Sequence, residues 1–241
     1  MPQSKALARR YSAKTHMGLV RPVNEDAILA LPHLGLWAVT DGMGGHQGGD
    51  FASQTVIDAL SALPTDLPPE ALPGRIRQAL HQAHDDIQAE AARRGNAIIG
   101  TTVVLLVLAG DHFLCLWAGD SRLYRLRGET LEMISVDHSV VGALVAAGQL
   151  SWDQAEHHAQ SNQITHAVGV GSEPGIDKRR GEVAPGDRFL LCSDGLTKYA
   201  NEATLKRFMQ QGAPETLADE LMRIAFEGGA ADNISVIVVD T

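Results

Sequence analysis

The sequence is short of cysteine, has no long apolar run and carries no excess of positive charge, and each shortage removes a class of function. Only Cys115 and Cys192 occur among its 241 residues. Both sit in apolar, strand-like runs, which predicts two buried, reduced thiols and not a disulfide or a ligand pair. No apolar stretch approaches membrane-spanning length. Lys5, Arg9 and Arg10 are followed by no apolar core, so no signal peptide is expected and a cytoplasmic protein is. The net charge of −9 argues against nucleic acid or an anionic membrane as a partner. No His/Cys spacing suits structural zinc, no Gly-Lys-Ser/Thr phosphate loop occurs, and no Asp-x-Asp-x-Asp-Gly calcium loop is present.

What the chain does have is one acidic pattern repeated five times. The segments are Asn24-Glu25-Asp26, Asp41-Gly42-Met43-Gly44-Gly45-His46, Gly119-Asp120-Ser121-Arg122, Ser193-Asp194-Gly195 and Asp232-Asn233. In each, a carboxylate stands at or near the end of an apolar run, beside Gly, Ser or Asn. One such site is a turn. Five suggest carboxylates delivered by several strands to one place, where they repel unless a cation holds them. Oxygen-only coordination points to magnesium or manganese. Two such ions ~4 Å apart share a carboxylate and a bridging water, which becomes a nucleophile near neutral pH.

The periodicity predicts strands at residues 11–17, 27–31 and 35–40, then a glycine-rich turn at 42–49. Helices over 50–63 and up to about 93 carry apolar residues at helical spacing, among them Val56, Leu60, Ile76, Leu80 and Ile87. Short runs at 102–109, 112–118, 121–127 and 130–134 read as one antiparallel meander, with Gly110-Asp111 and Gly128-Glu129 as hairpin turns. Residues 138–165 read as a helical excursion, with Ser151 and Gln154 as a capping box for a helix through His158. Strands at 178–183 and 187–192, helices at 202–211 and 215–227, and an apolar strand at 234–239 complete the chain. The layout is α+β, antiparallel sheets with helices on their outer faces. It predicts one domain over residues 1–241, with 138–165 as a flap or insert.

Taken in order, the five segments with Gly18-Leu19-Val20-Arg21, Gly100-Thr101-Thr102 and Asp137-His138-Ser139 resemble the metal-dependent protein phosphatases of type 2C, in the compact form of the bacterial branch. The resemblance runs from about residue 11 to the end. It implies a four-layer α-β-β-α sandwich, two antiparallel β-sheets flanked by helix pairs. It also implies hydrolysis of phosphoserine and phosphothreonine on proteins by a metal-bridging hydroxide, opposing a bacterial Ser/Thr kinase, by a monomer.

By resemblance, Asp41 bridges two metals, Asp194 and Asp232 complete the first site, and Glu25 with the Gly42 carbonyl serves the second. Asp26 orients metal-bound water, and Asp120 with Asp194 holds a third ion. Arg21 clamps the substrate phosphate, a role suited to a planar guanidinium. The cofactors implied are two to three Mn2+ or Mg2+ ions. Met43 stands where animal members have histidine, so either His46 or metal-bound water protonates the leaving oxygen. Thr165-His166 stands where bacterial members often have arginine.

Read as residues alone, Asp120 and Arg122 also suit an ion pair at the start of a strand, and Asn233 suits a residue that fixes the Asp232 loop. A cysteine-phosphatase route is disfavoured, because Arg122 is one place too far from Cys115 for a Cys-x5-Arg loop and Cys192 reaches Lys198. Two other functions compete: a metal phosphatase for small phosphate esters or nucleotides, and a non-catalytic interaction module, which predicts lost ligands where none is lost.

Overall fold

A strand buried on both faces needs no polar alternation, and β5 (Val103–Ala109) shows why its sequence is uniformly apolar. Val103, Leu105 and Val107 face a helix layer, while Val104, Leu106 and Leu108 face a second sheet. The computed structural model describes residues 9–45, 48–156 and 158–241. Before β5 come β1 (Tyr11–His16), β2 (Asp26–Leu31), β3 (Leu36–Gly44), helices α1 (Gly48–Ser61) and α2 (Leu72–Arg93), and β4 (Ile99–Thr101). After it come β6 (His112–Ala118), β7 (Arg122–Arg127), β8 (Thr130–Met133), α3 (Val140–Ala146) and α4 (Trp152–Glu156). The chain closes with β9 (Asp177–Glu182), β10 (Arg188–Cys192), α5 (Asp194–Thr197), α6 (Glu202–Gln211), α7 (Leu217–Glu227) and β11 (Ile234–Asp240).

Two antiparallel sheets result, ordered β1-β11-β10-β7-β8 and β2-β3-β5-β6-β9, with β4 paired to the end of β3. Three apolar layers hold them. α1 and α2 cover one outer face through Val56, Leu60, Ile76, Leu80 and Ile87. Trp37, Val39, Leu106, Phe189 and Ile237 fill the space between the sheets. Leu196, Leu205, Met209, Leu221 and Ala225 cover the other outer face. This is the α+β, four-layer sandwich expected. Both cysteines are free and buried, and burial pushes the Cys192 thiol up to about 12.

Three sequence expectations need correction, and one short helix was not foreseen. Residues 42–44 are not turn but strand, because Gly42, Met43 and Gly44 pair with Thr101, Gly100 and Ile99. The partner strand keeps extended a glycine-rich stretch that has no strand signal of its own. Residues 102–134 are not one meander: β5 and β6 belong to one sheet and β7 and β8 to the other, so the chain changes sheet at residues 119–121. The short links were hairpins at 110–111 and 128–129 only. The brief helix α5 carried no periodicity to reveal it, and α4 ends at Glu156, not His158. The Ser151–Gln154 capping box does form, each side chain bonding the other's backbone N–H at 2.9 and 3.3 Å.

Candidate active site

Antiparallel order puts the start of β2, the end of β3, the end of β10 and the start of β11 at one pole of the sandwich. The acidic segments sit at those ends. Asp26 opens β2, directly opposite Asp41 in β3. Asp194 opens α5 just after β10, and Asp232 precedes β11. Asp120 lies on the link by which the chain passes between sheets. Arg21, Glu25, Asp41, Gly42, Asp120, Asp194, Asp232 and Asn233 line one basin of about 360 Å3. His46 lies outside the described residues.

The framework is hydrogen-bonded at each turn. Asp41 N–H donates to Thr102 Oγ1 (3.0 Å), and its carbonyl accepts from Thr102 N–H (2.8 Å) and Thr101 Oγ1 (3.0 Å). Thr102 Oγ1 also meets Ser121 Oγ at 2.7 Å, tying β3 to the Asp120 link. Asn233 does more than fix the Asp232 loop. Its Oδ1 accepts from Glu25 N–H, and its Nδ2 donates to the carbonyls of Met17 and Val23. Gly195 is required where the two acidic loops meet, because a Cβ there would collide with the Asn233 carbonyl.

Electrostatics mark the place. Burial raises Asp26 to about 7, against hydrogen bonds from Ser193 and Ser235 and with the help of Asp194 and Asp232. Burial and then Asp26, Asp194 and Asp120 push Asp41 well above the usual carboxylate range. Burial, with Asp194 and Asp137, raises Asp120 to about 8. Glu25 is raised by burial and by Asp50. Asp232 goes the other way: burial opposes ionisation, yet Lys198 and Arg21 hold it below its ordinary value. Asp26 Oδ2 accepts from Ser193 Oγ at 2.8 Å, while Oδ1 is buried with no partner.

Two cations lie among these carboxylates. Lys198 Nζ bridges Asp194 Oδ2 (2.8 Å) and Asp232 Oδ2 (3.0 Å). Arg21 is bidentate to Asp232 at 2.9 and 3.1 Å. Among the described residues, no three His, Cys, Asp or Glu side chains are drawn into a closed metal cage. The donor set still fits hard divalent cations. It is all oxygen, it comes from both sheets, its buried members resist ionisation next to one another, and one buried carboxylate oxygen points at no partner.

Lys198 was missed by sequence reasoning, although its place four residues after Asp194 at a helix start was a usable signal. Arg122 does not pair with Asp120. It is bidentate to the buried Asp137 (3.0 and 2.8 Å), and Trp152 from α4 lies over its guanidinium, 4.4 Å to the ring centre. Met43 lines the basin. Residues 138–165 are tied off at their stem by Val140 N–H to Gln163 O (3.0 Å) and Thr165 N–H to His138 O (2.7 Å), and Asn162 and Ile164 reach the basin.

The sequence profile of the protein phosphatase 2C family matches residues 21–224. The chain belongs to that family. Mycobacterium tuberculosis PstP, named a serine/threonine protein phosphatase, is 36% identical over 236 residues, covering 97% of this chain but 45% of PstP. The chain thus spans under half the length of that curated relative. PppA, described as a key regulatory component of T6SS in Pseudomonas aeruginosa, superposes with a TM-score of 0.89 at 42% identity, over 97% of this chain and 98% of that one. The PstP catalytic domain in complex with two manganese ions gives 0.85 at 35% identity, over 96% and 97%. The family fold and the bacterial character of the relatives agree with the architecture. Among the described residues no helix is long and apolar enough to cross a membrane.

Proposed function

We propose that this single domain, residues 1–241, is a cytoplasmic, monomeric phosphatase that removes phosphate from serine and threonine in proteins, opposing a Ser/Thr kinase. The observation that carries this is the meeting of Glu25, Asp41, Asp120, Asp194 and Asp232, from both sheets and the link between them, beside the guanidinium of Arg21. Asp41, Asp194, Asp232, Glu25 and the Gly42 carbonyl would hold two Mn2+ or Mg2+ ions, and Asp120 with Asp194 a third. Bound there, the cations neutralise the phosphate and acidify water into a nucleophile near neutral pH.

The chain's own groups do the rest. Arg21 stands half-exposed at the rim and offers planar N–H donors to phosphoryl oxygens. Asp26 Oδ1, held by the Ser193 bond to its other oxygen, is placed to orient an attacking water and to take its proton. Buried, inert Cys115 and Cys192 argue against a covalent phosphocysteine. Residues 138–165 act as a flap over the basin.

The test is a phosphothreonine-peptide assay with Mn2+, with Mg2+ and with EDTA, beside Asp194→Asn. Metal-dependent turnover lost in the variant is expected. A folded protein that binds metal and shows no turnover would overturn the reading in favour of an interaction module. Activity confined to free nucleotides would point to small esters.

A further inference from the structure

Large apolar side chains left on a folded surface mark where a partner belongs when they cluster. Among the described residues eight are exposed, and four of these, Met17, Leu19, Val20 and Val23, share the loop that carries Arg21. Leu19 and Val20 are the most open of the four, at 64% and 68%.

The loop is firmly anchored by its backbone and by the Arg21 side chain, which is bidentate to Asp232. Leu19 N–H donates to the Ala230 carbonyl at 2.8 Å. Asn233 Nδ2 donates to the Met17 and Val23 carbonyls, both at 2.9 Å. Gly18 adopts φ +78°, and a Cβ there would collide with the Asp232 carbonyl, so the chain lies flat against the acidic loop. None of these anchors requires an apolar side chain at 19, 20 or 23. Polar residues would serve a mere connection between β1 and β2 equally well and stay better hydrated. The apolar side chains are therefore displayed, in fixed positions, one and two places from the guanidinium at the rim of the basin.

We propose that residues 17–23 form a docking lip for the substrate polypeptide, receiving apolar side chains next to the phosphorylated residue. The proposal rests on the protein-phosphatase reading above. If Arg21 holds the phosphate, an extended peptide that rises about 3.3 Å per residue carries its neighbouring side chains across Val20 and Val23. The occupant is polypeptide and not bilayer, because the chain's net charge of −9 and the acidic basin beside the lip repel an anionic surface.

The experiment uses the double variant Leu19→Ser/Val20→Ser, whose wild-type side chains project into solvent. Kinetics are measured in Mn2+ on two phosphothreonine peptides, one with leucine on both sides of the phosphothreonine and one with serine there, and on p-nitrophenyl phosphate. The wild type should prefer the leucine peptide. The variant should lose that preference through a rise of about tenfold in KM for the leucine peptide, the size expected for partial burial of two aliphatic side chains. The serine peptide and p-nitrophenyl phosphate should be unaffected. A variant that keeps the wild-type preference overturns the lip and leaves the phosphatase reading standing. A wild type that cleaves p-nitrophenyl phosphate and neither peptide overturns both. A wild type that sediments as a dimer, with the variant a monomer, assigns the lip to a second copy of the chain and also overturns the proposal.

Discussion

Asp26 and Asp41 stand directly opposite one another on β2 and β3, the last cross-strand pair before the ladder reaches the basin. Like charges so placed destabilise a sheet. Burial raises Asp26 to about 7 and Asp41 well above its usual range, so the pair holds protons that an unfolded chain has already lost.

The sign of the pH dependence follows. An unfolded aspartate titrates near 3.8, whereas Asp26 and Asp120 titrate at about 7 and about 8 when folded. Between those values the folded state binds more protons than the unfolded one, so stability falls as pH rises. In EDTA the melting temperature should drop from about pH 5 to about pH 8, and Mn2+ added at the upper end should restore it. Calorimetry that finds a rising melting temperature in EDTA across this range contradicts the buried acidic pair.

Asp41→Asn and Asp194→Asn should each abolish turnover while circular dichroism stays native. Loss of even an outer partner of a bound metal costs about 10- to 100-fold, and a ligand should exceed that. Either variant retaining wild-type kcat would remove that residue from the ligand set.

If Arg21 clamps the phosphate as proposed, Arg21→Ala should act mainly on KM, since the attacking water would stay in place. Steady-state kinetics on a phosphopeptide decide this: a fall in kcat at unchanged KM would assign Arg21 to the chemical step.

Lys198→Met should tighten Mn2+ binding, because the ammonium that bridges Asp194 and Asp232 competes with a cation for the same oxygens. The metal-free variant should also melt lower, with two carboxylates left facing each other. Titration calorimetry reads the first effect directly, and weaker binding in the variant would make Lys198 a helper of the metal site.

Gly195→Ala should destabilise the fold by about 1–3 kcal/mol, the usual range for forcing an atom into filled space. The added Cβ meets the Asn233 carbonyl, and both loops carry predicted ligands. A neutral denaturation midpoint would mean that the two loops separate freely.

The fold and most of the site were legible in the sequence because the signals were local. Asp194 and Asp232 each sit beside Gly or Asn at the end of an apolar run, and helices α1, α2 and α6 show their buried faces at helical spacing. What stayed hidden depended on distant partners. Gly42 to Gly44 became strand only because β4 returned alongside them. The change of sheet at Asp120 left no mark, since a link of three residues suits a hairpin equally well. Lys198 reads as an ordinary surface lysine until Asp232, 34 residues on, is brought to its other side.

The order of strands in the first sheet sets a schedule for assembly. Among the described residues, β11 near the C-terminal end lies between the N-terminal strand β1 and β10. A growing chain can therefore pair β2, β3, β5 and β6 early, but β1 gains its hydrogen-bonded partner only when residues 234–240 arrive. Such pairing across almost the full length makes folding slow. It also means that Asp232 can reach Glu25 and Asp41 only once residues 232–240 have been made, so the carboxylate basin cannot form before them.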